Sequence, residues 1–398
     1  MRRSLVLMVP FAIACGSSSS NPDSGTPTDG GTTSDAPVNV DTGTTTSDAG
    51  LIHGGNPNGS CTSISVPAAG TAVDTSNPTT VVGTGTPGSC TQAALQAAVT
   101  QGGIVTFSCG AAPVTIALSA TINVPIDRNT VIDGGGRVTL DGQNAVQILR
   151  WDSANYKAND NSLTVQHIGL SNAKTNPTQA IPTAPAPCSQ GWDDGEGGAI
   201  YMRDGNLVVN DSVFTNDHAA PLGPDTGGGA IYILGSKRGV IVVSSTFTNN
   251  AASNAGAIGA LNAELEVYDS LLTGNVGTGH DANNNDPSQC SVINNGQNEI
   301  GSGGNGGALY ADGNDFNVVV CGDDIENNAA GTNAFGGGIF FTSDNFGGTL
   351  SIIDSTIQGN TGGHWTVVQS GSVTNAGTAV GTNAKSITIT NSSVQGVP

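Results

Sequence analysis

The stretch Gly197–Asp217, GGAIYMRDGNLVVNDSVFTND, returns in close form at Gly228–Asn250, GGAIYILGSKRGVIVVSSTFTNN. Glycines and aliphatics are kept while the residues between them change. Aligned on the apolar residue that closes the second apolar run, the pattern recurs at Leu170 in LTVQHIGLSN, Phe214 in LVVNDSVFTND and Phe247 in VIVVSSTFTNN. It continues at Leu272 in LEVYDSLLTGN, Ile325 in VVVCGDDIENN, Ile357 in LSIIDSTIQGN and Val394 in ITITNSSVQG. Each copy has alternating apolar positions, a small polar bend and a second short run. In five copies a turn carrying Asp217, Asn250, Asn275, Asn328 or Asn360 follows. Alternation over so few residues is the period of a strand, not of a helix.

The anchors Phe214, Phe247 and Leu272 are 33 and 25 residues apart, and Ile325 and Ile357 are 32 apart. A unit this short cannot bury its own apolar face. Stacking parallel coils buries it, with each inward Val, Ile or Leu about 5 Å above its counterpart in the coil below. Gly and Ala at the GGA corner permit tight bends, and Asn suits left-handed turns and side-chain hydrogen-bond ladders. The 53 residues from Leu272 to Ile325 leave two arrangements open for 277–305, a loop or an extra coil.

The ends of the chain read differently. MRRSLVLMVPFAIAC has Arg2 and Arg3 and then a short apolar run before Cys15, a secretion signal too short to span a bilayer. Ala12-Ile13-Ala14-Cys15 resembles the lipobox of bacterial lipoproteins, departing from it at Ala12, where that family prefers Leu. The resemblance implies a signal over 1–15 and a lipidated Cys15, and Gly16 in place of Asp implies an outer membrane. Residues 16–60 are Ser, Thr, Gly, Pro, Asp and Asn with no core-forming side chains, the composition of a solvated tether. Beyond Cys15 stand Cys61, Cys90, Cys109, Cys188, Cys290 and Cys321, without a CxxC pair, so up to three disulfides are expected. Of the possible pairings one is singled out: Cys90 and Cys109 bracket TQAALQAAVTQGGIVTFS. That segment reads as a short helix with Ala94, Leu95, Ala98 and Val99 on one side, followed by a strand from Ile104 to Phe107. The expected domains are thus a leader over 1–15, a tether over 16–60, an N-terminal segment and cap over 61–110, and the repeats over 111–398.

The paired GGAI and FxxN signatures look like those of polymorphic outer-membrane proteins. TVIDGGGRVTLDG from Thr130, and the helix before it, resemble the early coils and N-terminal cap of bacterial pectin-lyase-like proteins. The resemblance covers residues 90 to 398. It implies an all-β fold, a right-handed parallel β-helix with a short N-terminal capping helix. For activity it implies nothing specific, since this architecture serves lyases, hydrolases, adhesins and passenger domains.

Charge narrows the partners. With 11 Lys and Arg against 31 Asp and Glu the net charge is −20, which disfavours nucleic acid and anionic membrane surfaces. No HExxH, GxSxG or P-loop occurs. Asp204, Lys237 and Asn262 each stand ten residues before an anchor, so stacking makes them one column, with Arg203, Arg238 and Glu264 beside them. Lys237 and Arg238 form a basic spot on an acidic surface, suited to a sugar carboxylate or a catalytic base. Asp204, Lys237 and Arg238 are therefore the candidate catalytic residues, and Arg203, Asn262 and Glu264 the candidate substrate contacts. A plain Asp204–Lys237 salt bridge is the structural alternative. GWDDGEGG supplies oxygen ligands of the calcium type at Asp193, Asp194 and Glu196, without the spacing of a known calcium loop. The expected protein is a monomeric, lipid-anchored surface protein that binds a polysaccharide or another cell-surface ligand through loops on one flank. The alternative is a polysaccharide lyase with a Lys or Arg base, or a glycosidase with a carboxylate pair.

Overall fold

Apolar residues at every second position force one face of each short run inward, and their partners in the next run supply the missing contact. The computed structural model describes residues 50–175, 177–178, 195–223, 225–280, 282, 303–343, 345–363 and 378–396. It also gives the backbone of the short strands Ile293–Asn294, Gln297–Asn298, Val368–Gln369, Ser372–Val373 and Asn375–Ala376. The leader, Cys15, the tether up to residue 49, Cys188, Cys290, Asp193 and Asp194 lie outside the described residues.

The protein is predominantly β, built on large parallel sheets. In the larger sheet, strand Ser162–Ser171 pairs with Asn206–Asn210, then Val240–Val243, Leu265–Tyr268, Asn317–Cys321, Thr349–Ile353 and Ser386–Thr390 follow, each parallel to the one before. The seven anchors form one continuous row of that sheet, Leu170, Phe214, Phe247, Leu272, Ile325, Ile357 and Val394. The Phe214 and Phe247 rings stack with centroids 4.7 Å apart. Leu272 pairs directly with Ile325, so no strand stands between them in that row. The second sheet runs Ile122–Asn123, Leu149–Asp152, Ile200–Arg203, Ile231–Leu234, Ile258–Leu261, Leu309–Gly313, Ile339–Ser343 and Val380–Thr382, each parallel to the one before, and ends on Asn375–Ala376, which pairs antiparallel with Val380–Thr382. Inward residues of both sheets make one core.

The GGA motif has a steric cause. A Cβ on Gly229 would collide with the Gly256 carbonyl oxygen, and one on Gly256 with that of Gly307. The kept glycine marks close approach of the next repeat, more than a tight bend. The asparagines divide their work likewise. Left-handed backbone falls one residue earlier, on Asn216, Asn249, Gly274, Asn327 and Gly359. Asn250, Asn275, Asn328 and Asn360 instead form a buried ladder, each amide donating to the Oδ1 of the next at 2.9–3.0 Å. A second file, Ser212, Ser245, Ser270, Asp323 and Ser355, is joined at the polar bends from backbone N–H to side-chain oxygen.

At the N-terminal side the helix Gln92–Gln101 starts at Thr91, whose hydroxyl accepts from the Ala94 amide at 3.2 Å. It buries Leu95, Ala98 and Val99 and packs on strands Thr80–Val82 and Ile122–Asn123. Cys90 and Cys109 are joined in a disulfide, with Cα atoms 5.6 Å apart. A second disulfide, which nothing in the sequence singled out, joins Cys61 to Cys321.

That bond pins a strap. Residues 50–60, which composition assigned to the tether, lie along the bends of successive repeats. Ile52 N donates to Gly136 O, Gly54 N to Asp211 Oδ1 at 2.8 Å, and Asn56 N to Asp269 O. Thr62 N and Ser63 N both donate to Asp354 Oδ2, at 2.8 and 2.7 Å. These amides, led by Thr62 and joined by both hydroxyls, hold the Asp354 carboxyl well below the usual range. The chain then returns through Val66, Gly70 and Val73 to the first strands, covering Val243, Tyr268 and Cys321. Low hydrophobicity does not keep this segment free in water, because its backbone amides find carboxylates at fixed spacing.

Candidate functional site

The expected column is displaced by two residues. Strand pairing puts Leu234 beside Arg203 and Leu261, so Gly235, not Lys237, stands level with Asp204 and Asn262. All three have left-handed backbone, with φ of 55°, 57° and 52°. The bend Ser236–Gly239 is longer than its counterpart at Gly205, and counting back from Phe247 absorbed the insertion. Asp204 is fully buried and accepts from Ser153 Oγ at 2.9 Å and from the amides of Ala158 and Asn159 at 2.6 and 3.0 Å. It holds a loop and faces no ligand space. Lys237 pairs with Asp160 at 2.9 Å, and Arg238 approaches the same carboxylate at 3.5 Å. Asn262 N donates to Asp312 O, and Glu264 accepts from Asn317 N at 2.6 Å while burial pushes its carboxyl up. Arg203 Nε is buried without a hydrogen-bond partner. None of the six lines the cleft described next.

A cleft of about 460 Å³ lies instead beside the start of the second sheet, lined by Thr121, Gln147, Arg150, Lys174, Thr175, Glu196 and Tyr201 among others. Arg150 and Tyr201 are direct partners across neighbouring strands. The guanidinium sits 4.4 Å above the Tyr201 ring, and that ring stacks on Tyr232 at 6.4 Å between centroids. Arg150 donates to Asp152 Oδ2 at 2.6 Å and to Gln147 Oε1 at 3.4 Å, which orients the planar group and leaves its side chain 40% exposed. Gln147 Nε2 donates to Glu196 O at 3.0 Å, and Thr175 Oγ1 donates to Gly197 O at 2.8 Å, tying the walls together. Burial, reinforced by Glu196 and Asp152, raises the Tyr201 phenol well above its usual range, so it stays a neutral donor. Burial and the nearby Lys174 lower His218, which borders this wall.

The cleft thus brings a guanidinium, an ammonium and hydroxyl donors together on a chain of net charge −20. Such a set recognises a carboxylate that carries hydroxyl groups. The signal in the sequence was that LRWD at Leu149 matches IYMR at Ile200 in strand register. It was hidden because the long segment between them breaks the repeat. Glu196, expected as a calcium ligand, is a buried member of the cleft. Its expected partners Asp193 and Asp194 are outside the described residues. Among the described residues the one cluster of metal-binding size is Cys61, Cys321 and Asp354, and its two sulfurs are already bonded to each other. The chain matches no family model, no curated protein and no solved structure.

Proposed function

We propose that this is an exported, lipid-anchored surface protein that binds an acidic polysaccharide in the Arg150–Lys174 cleft. Its fold is proposed to be a right-handed parallel β-helix capped by the helix Gln92–Gln101. Parallel pairing of every repeat with the next supports the helix, and the buried Leu95, Ala98 and Val99 beside the first strands support the cap. Two disulfides support an oxidising compartment. The observation that carries the binding reading is the cleft itself, where two bases line a concave surface on an otherwise acidic chain.

The test compares binding of polygalacturonate and of neutral dextran to the full chain, its R150A/K174A variant and its K237A/R238A variant. Each charge-assisted contact contributes about 1.5–3 kcal/mol, so losing both weakens polygalacturonate binding by at least a hundredfold. K237A/R238A keeps parental affinity, because those bases do not line the cleft. Equal affinity of R150A/K174A and parent overturns the assignment. Unsaturated sugar product in the parental sample, absent with R150A/K174A, would make the cleft that of a lyase.

Anchoring has its own measurement. Cys15→Ala is expected to move the protein from the membrane to the soluble fraction, since one removed acyl-bearing residue takes the whole anchor with it. Membrane association that survives the change refutes lipidation at Cys15.

A further inference from the structure

Each asparagine of the buried ladder makes the same pair of contacts. Its Oδ1 accepts from the backbone amide of the member before it, and its Nδ2 donates to the anchor carbonyl one repeat back. Those carbonyls are Phe214 for Asn250, Phe247 for Asn275, Leu272 for Asn328 and Ile325 for Asn360. Asp217 heads the ladder. It is fully buried, its N–H donates to Asn250 Oδ1 at 2.9 Å, and its own Oδ1 accepts from Ala173 N at 2.9 Å, as an amide oxygen would. Its Oδ2 occupies the place of the amide nitrogen and is buried without a hydrogen-bond partner. The anchor one repeat back is Leu170, in register with Phe214. An ionised Oδ2 in that place sets two acceptors against each other away from water, at a cost no neighbouring donor offsets.

We propose that Asp217 is a carboxylic acid in the folded protein, that its Oδ2–H donates to the Leu170 carbonyl, and that this proton holds the Ala173–Thr175 wall of the cleft. One bond of the wall is made by Asp217 itself and the others by the next residue, His218. Ala173 N is bound to Asp217, Lys174 bridges to His218, and Thr175 N donates to His218 O at 3.0 Å. Lys174 and Thr175 line the cleft. The charged and titratable groups around Asp217 are Asp141, at the end of a strand two repeats back, Lys174 on the wall and His218, the next residue. Burial raises the carboxyl well above the usual aspartate range, Asp141 adds to the rise, and the Ala173 amide opposes it.

A folded-state pKa above the unfolded one gives stability that is complete below about pH 4 and is lost as the pH climbs through the folded value. Asparagine at 217 makes the same two bonds at every pH. The effect on ligand rests on the cleft being the binding site, whereas the protonation does not.

The experiment measures thermal midpoints of the full-length parent, D217N and D217A from pH 5 to 9, with amide exchange over Ala173–Thr175. Asp323 is also raised by burial, but it is common to all three proteins. D217N is expected to melt about 2–4 °C above the parent at neutral pH, with the gap widening as pH rises. Exchange over Ala173–Thr175 rises with pH beyond its intrinsic dependence in the parent and not in D217N, while D217A is unprotected throughout. Midpoints of parent and D217N that run parallel in pH, or D217N destabilised as far as D217A, overturn the inference. Polygalacturonate titrated into parent and D217N separates the two readings: no binding by either, with the exchange pattern intact, removes the cleft reading and leaves the proton where it is placed.

Discussion

Asn275→Ala should unfold this protein at a urea concentration well below that of the parent, with a loss of about 3–5 kcal/mol. Asn275 is fully buried in the middle of the ladder. Its Oδ1 accepts from Asn250 N and Nδ2, both at 3.0 Å, and its Nδ2 donates to Phe247 O and Asn328 Oδ1 at 3.0 and 2.9 Å. Alanine leaves the Asn250 amide buried and unpaired, and takes one donor each from the Phe247 carbonyl and from Asn328 Oδ1. Each such group costs about 1–3 kcal/mol, and water cannot replace the lost bonds inside a filled core. Thr273→Ala, on the outward side of the same repeat, is the control and should stay within about 0.5 kcal/mol. If the two variants unfold together, the ladder contributes nothing beyond packing.

Cys61→Ser/Cys321→Ser is the second large effect. The bond closes a sequence separation of 260 residues, so chain entropy puts its contribution near the upper end of the range, about 5 kcal/mol. It also holds the strap over Val243, Tyr268 and Cys321, with Val66 and Ile241 packed against them. Without it the strap is kept by part-buried and exposed hydrogen bonds, to Asp211, Asp269 and Asp354 among others, and the exposed ones compete with water. Limited proteolysis should therefore cut the variant between residues 52 and 75 at low protease, before the sheets are attacked. An oxidised and a serine-substituted protein with equal melting and equal cleavage would show that the strap needs no covalent pin.

The strap also shows where reading the chain alone stops. Residues 50–60 have the composition of a linker, and composition reports only whether a segment can build its own core. Whether it finds a template elsewhere depends on Asp211, Asp269 and Asp354 recurring at one bend of alternate repeats, hundreds of residues away. The Lys237 column failed for a related reason. An anchor fixes register only as far as the next bend, and two extra residues at Ser236–Gly239 rotated Lys237 out to Asp160.

Legible in the chain alone are the strand character, the anchor row from Leu170 to Val394, the recurrence of the GGA glycines, though not their reason, and the Cys90–Cys109 pair. All of these are local or periodic, and the core is a sum of one short pattern laid beside itself, so period and polarity suffice to specify it. Tertiary structure alone decided the Cys61–Cys321 bond, the strap, and the meeting of Arg150, Lys174 and Tyr201 in one cleft. Those contacts join segments that differ from repeat to repeat, and their geometry depends on loop lengths and strand register, which no period in the chain encodes.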